Sequence, residues 1–66
     1  MPVLVNRIYR HYKGGLYKII AIGKHTDDTS EQVVYRAMDG GQVWIRRLEE
    51  WNTPVNGKPR FTLVEA

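Results

Sequence analysis

Apolar and polar residues alternate along most of this chain with a period near two, the spacing of half-buried strands rather than of helices. In Asn6 to Tyr12, Ile8 shares parity with Tyr12, whereas Tyr9 shares it with Arg7. One of those tyrosines is therefore expected to pack inward and the other to face out. Leu16 to Ile22 is rich in bulky and β-branched residues, which favour a pleated, partly buried surface. Its alternation sets Leu16, Lys18, Ile20 and Ile22 against Tyr17, Ile19, Ala21 and Gly23, and neither side is cleanly polar. A central strand of a curled sheet reads this way. Gln32 to Met38, Gln42 to Arg46 and Arg60 to Val64 complete a set of five predicted strands.

The breaks between these segments are turn chemistry. Lys13-Gly14-Gly15 and Asp39-Gly40-Gly41 each supply glycines for the positive φ of a tight hairpin, and Asn56-Gly57 marks a third turn. His25 to Ser30, HTDDTS, is a polar loop. Arg47-Leu48-Glu49-Glu50-Trp51 breaks the alternation, with Leu48 and Trp51 three apart, as one short helical turn requires, and Pro54 closes it. There is no internal repeat.

Short strands, tight turns and almost no helix leave exposed sheet edges unless the sheet closes on itself. The expected fold is therefore mainly β: a single domain over residues 1–66, folded as a small five-stranded SH3-like barrel with one short helical turn before the last strand. An OB-like barrel is the other topology that fits. Phe61 and Trp44 are the expected core rings, with Trp51 capping the barrel end.

At 66 residues the chain has room for one small core. It has no cysteine, so neither a disulfide nor a thiolate zinc site staples it. The opening Met1-Pro2-Val3-Leu4-Val5 lacks a basic leader, its apolar run stops at Asn6, and no stretch approaches a membrane span. The expectation is a cytoplasmic protein with no membrane partner. The net charge of +3 is unevenly placed: residues 1–25 hold Arg7, Arg10, Lys13, Lys18 and Lys24 and no acid. A basic first third favours an anionic partner, nucleic acid among them.

Catalytic chemistry finds little support. His25, Asp27 and Asp28 lie together, but in a segment that reads as a solvated polar turn. Thr26, Thr29 and Ser30 lack the glycine elbow of a serine nucleophile. Two histidines fourteen positions apart with Asp27 make an undistinguished ligand set, and neither Gly-Gly pair has phosphate-loop spacing. No enzyme activity, cofactor or metal is expected.

The block Tyr9-Arg10-His11-Tyr12-Lys13-Gly14 with Tyr17, then His25, Val33-Val34-Tyr35-Arg36, Trp44-Ile45-Arg46 and Gly57-Lys58-Pro59-Arg60-Phe61 resembles the small bacterial domains of the DUF1653 family over residues 7 to 61. The resemblance implies a compact barrel related to SH3 folds, of unknown function, whose recurring Tyr, His, Arg and Trp residues suggest a binding surface. The chain departs from that pattern at Arg47, where proline is expected, and over Glu50 to Val55, so contacts made by that loop are not carried across.

Together these readings point to a binding or accessory module with a basic, aromatic surface at His11, Tyr12, Lys13, Arg36, Arg46 and Trp51. Arginine forks would clamp a phosphate or carboxylate and the rings would stack or pack. The partner is a protein or an anionic ligand. Nucleic-acid binding is the main alternative, followed by peptide docking on the aromatic groove and by a homodimer built through Val3 to Val5 or Leu63-Val64 as an added edge strand. Against a functional use stands simple pairing of Arg36 and Arg46 with Glu31, Glu49 or Glu50.

Overall fold

A computed structural model describes residues 3–64 of the chain. The predicted elements are present with ends shifted by a residue or two: β1 Ile8–His11, β2 Leu16–Lys24, β3 Glu31–Ala37, β4 Val43–Arg47, the single-turn helix α1 Leu48–Trp51 and β5 Phe61–Leu63. The expected turns also form. Gly40 and Gly41 both take positive φ, 86° and 74°, and the Gly41 N–H donates to the Ala37 carbonyl at 3.2 Å, closing the β3–β4 hairpin. The polar loop between β2 and β3 is where HTDDTS places it.

All the strands belong to one antiparallel sheet in the order β4-β3-β2-β1-β5. The ends of that order, β4 and β5, do not pair with each other. The sheet is open, which corrects both the SH3-like and the OB-like barrel expected from the sequence. Closure is required only where strands alone must shelter the apolar face. Here α1 follows β4 directly and packs against β3 and β4, carrying Trp51 over the sheet. β5 is only three residues long and pairs with β1 alone. A helical turn and its indole therefore supply the second layer that closure would have supplied.

Register explains the mixed patterning of β2. Ile19 lies opposite Tyr35 and Ala21 opposite Val34, which leaves Ile20 as an extra residue in a β-bulge. The bulge changes the phase of the strand. Tyr17 and Ile19 before it, and Ile22 after it, share the face of Tyr35 and Val33. That inner face, covered by α1, holds the core: Tyr9, Ile19, Val33, Tyr35, Trp51 and Phe61, with Val3, Tyr17 and Leu48 packed against it. Tyr9 is buried and Tyr12 exposed, as parity required.

Phe61 is in the core as expected; Trp44 is not. It is 52% exposed, because it stands on the edge strand β4 opposite Tyr35 with no further strand beside it. Trp51 is 3% exposed, so it is a central core residue rather than a cap on a barrel end. Its ring stacks on Phe61 with centroids 3.5 Å apart and planes 1° from parallel. Trp51→Ala is expected to cost about 3–5 kcal/mol, the range for removing a large buried ring. Trp44→Ala is expected to cost about 1 kcal/mol or less, as at a half-exposed edge. Urea unfolding followed by far-ultraviolet circular dichroism measures both, and the reverse order would contradict the assignment of Trp51 to the core.

Candidate functional site

The inner face is a run of rings in contact. His11, half-buried at the end of β1, lies 4.4 Å from the exposed ring of Tyr12, 4.9 Å from Phe61 and 6.4 Å from Tyr17. The pairing of β1 with β5 sets His11 directly opposite Phe61. Beneath them Tyr35 meets Tyr17, Trp51 and Phe61 edge-on at 5.3, 5.1 and 5.8 Å. T-shaped contacts of this kind match the positive edge of one ring to the negative face of another.

Cations rim the rings. Arg46 projects inward from β4, opposite Val33, with Cζ 5.7 Å from the Phe61 centroid. Its Nε donates to the Tyr35 hydroxyl at 3.2 Å and its Nη1 to Glu50 Oε1 at 2.6 Å. Partial burial works against the guanidinium charge. The Tyr35 hydrogen bond, with Glu50 and Tyr12, outweighs burial and raises the Arg46 pKa. Lys13, in the β1–β2 turn, places Nζ 5.7 Å from the centre of the Tyr12 ring, within cation–π range. Arg60 immediately precedes Phe61, and its Nε donates to the Thr53 carbonyl at 3.3 Å.

His11 is the electrostatic reporter of this arrangement. Its pKa is lowered from the ordinary value of 6.5, first by burial and then by the charges of Arg46, Arg60 and Lys13. Its Nδ1 accepts the Lys13 backbone N–H at 3.3 Å, so the neutral ring carries its proton on Nε2. Chemically, the site offers a neutral imidazole and an exposed phenol ring surrounded by positive charge.

Of the residues singled out in the sequence, His11, Tyr12, Lys13 and Arg46 come together here. Trp51 supports the same face from beneath but is too buried to be a contact surface. Arg36 stands apart. It pairs with Lys18 and Val43 and alternates with buried Tyr35, which puts it on the opposite face of the sheet. The pairing of Arg46 with Glu50 is realised; Arg36 has no carboxylate partner among the described residues. Arg60, Phe61, Tyr17 and Tyr35 complete the cluster but were not singled out as site residues. The signal for Arg60 and Phe61 is the register of β5 against β1, a pairing between segments about fifty positions apart that no local pattern encodes; Tyr17 and Tyr35 are placed by the pairing of β2 with β1 and β3. The loop of His25, Asp27 and Asp28 is indeed a polar turn: His25 Nδ1 accepts the Asp27 N–H at 3.1 Å and Asp28 Oδ1 the Ser30 N–H at 2.9 Å.

Fold and site together define a small open-sheet domain with one aromatic face rimmed by cations. The model of the family described as protein of unknown function (DUF1653) matches residues 7–63, and the chain belongs to that family. It is also similar to the crystal structure of a protein belonging to DUF1653 from Bordetella bronchiseptica. The two are 28% identical with a TM-score of 0.81, over 92% of this chain and 87% of that one. A search of curated proteins found no match.

The lowered pKa of His11 gives stability a pH dependence. The unfolded chain takes up the imidazole proton more readily, so this contribution is fully present above about pH 6.5 and is lost as pH falls through the lower folded value. Urea midpoints measured across this range are expected to fall with pH in the wild type, and His11→Gln is expected to remove that part of the slope. An identical pH profile for the two proteins would contradict the placement of His11 among these cations.

Proposed function

We propose that this chain is a non-enzymatic, cytoplasmic binding module whose inner face takes a planar anion, with nucleotides and single-stranded nucleic acid as the ligand class. The observation that carries this reading is the grouping of His11 and Tyr12 with Arg46, Arg60 and Lys13. Stacked rings at half-exposed and exposed positions lie beside positive charge of which only Arg46 is paired with a carboxylate among the described residues. Base–ring stacking supplies affinity without sequence preference, and arginine supplies a fork that matches phosphate oxygens. The Tyr35 and Glu50 contacts hold the Arg46 fork in place before ligand arrives. The cytoplasmic assignment is supported by the absence of cysteine, and no described helix is long and apolar enough to cross a membrane.

The test is a titration of isotope-labelled protein with inorganic phosphate and with a short oligothymidine at low and high salt. An anion beside His11 offsets the surrounding cations, so the His11 resonances are expected to titrate at higher pH when ligand is bound. Arg46→Gln is expected to weaken the oligothymidine about tenfold, near the lower end of what a hydrogen bond to a charged group contributes, with the fold checked by circular dichroism. Salt is expected to weaken it further. If His11 titrates identically with and without ligand at low salt, the reading fails.

A further inference from the structure

The outer face of the sheet carries a second, independent surface. An antiparallel sheet with one face on its core usually turns polar side chains to water on the other. This one does not. Ile8, Leu16, Val34, Val43 and Ile45 occupy outer-face positions, and Ile20 stands in the β2 bulge next to Ala21; Ile45 is 66% exposed, Val43 45% and Ile20 41%. Register sets them in adjacent rows: Ala21, Val34 and Ile45 lie side by side across β2, β3 and β4, and the next row runs Ile8, Lys18, Arg36, Val43. The charges interleaved with them are all positive. Lys18 and Arg36 are direct neighbours across β2 and β3, and Arg10 lies opposite Leu16. Arg47, opposite Gln32 on the same face, is already paired with Asp28 at 2.6 Å.

A sheet face this apolar needs a second layer. We propose that the outer face docks an amphipathic helix from a partner protein, its apolar stripe lying over Val34, Val43 and Ile45 and its flanking carboxylates meeting Lys18, Arg36 and Arg10. Charge selects this occupant over the others. A second copy of the chain placed face to face would set those cations against themselves, and its own helix α1 is a single turn whose Trp51 is committed to the core. An anionic membrane would be met through interfacial rings and long side chains, whereas the centre of this face is short and β-branched and the rings lie on the inner side.

The probe is a synthetic helical peptide with leucines at i, i+3, i+4 and i+7 flanked by glutamates, and a control peptide with lysine at every glutamate. Methyl-labelled full-length protein reads the contact site. The glutamate peptide is expected to shift the methyl signals of Ile20, Val34, Val43 and Ile45 and to leave buried Ile19 and Val33 in place. The lysine peptide is expected to bind at least tenfold more weakly. Arg36→Glu and Ile45→Glu are each expected to reduce affinity at least tenfold without lowering the melting temperature. Lys58→Glu, an equal change of charge in the turn between α1 and β5, outside the strands of the sheet, is expected to leave affinity as it was. Equal binding of the two peptides, or shifts confined to His11 and Tyr12, overturns the proposal. Sedimentation as a dimer that Ile45→Glu dissociates assigns the face to self-association instead. Co-sedimentation with phosphatidylserine vesicles that Ile45→Glu abolishes assigns it to a membrane. Either result also overturns the proposal.

Discussion

The contact on which this domain depends is the stack of Trp51 on Phe61. Trp51 is delivered by one helical turn and Phe61 by a three-residue strand, and neither element is long enough to be stable on its own. Stacking fixes both. It holds α1 against the inner face of the sheet, and it holds β5 against β1, where Phe61 lies opposite His11. Tyr9 on β1 and Tyr35 on β3 then meet the indole edge-on. With six buried core residues among the described ones and no cysteine for a disulfide, the domain has little else to draw on.

The same rings link stability to the candidate site. Phe61 is at once the partner of Trp51, the ring beneath the Arg46 guanidinium and the neighbour of His11. Arg46 is tied to the core through the Tyr35 hydroxyl and to α1 through Glu50. The site is thus the exposed margin of the core rather than a cleft added to it. Its geometry is as rigid as the packing behind it, and a change in that packing moves the rings and the charges together.

Much of the local structure was legible in the sequence, because its signals are local. The glycine pairs set the hairpins, Leu48 and Trp51 set the helical turn, and the parity of Tyr9 and Tyr12 sorted one ring inward and one outward. Closure of the sheet was not legible. It depended on whether β4 and β5 meet; they do not, and α1 packs on β3 and β4 while its Trp51 stacks on Phe61 of β5. Trp44 was misplaced because ring size argued for burial while edge position decided for exposure. Arg36 was grouped with Arg46 because the two fall on neighbouring predicted strands. Alternation from Tyr35 puts Arg36 on the outer face, whereas the register of Arg46 against Val33 puts it on the inner one. The mixed character of β2 had two sources that only register separates: a bulge at Ile20, and an outer face that is itself apolar.

A double-mutant cycle on Trp51 and Phe61, with each changed to leucine singly and together and stability read from urea unfolding, tests the central contact most directly. A coupling energy of about 1 kcal/mol between the two rings, beyond their separate burial, is expected. Single-mutant losses that simply add, with coupling near zero, would show that the stack does not hold the short helix and last strand together.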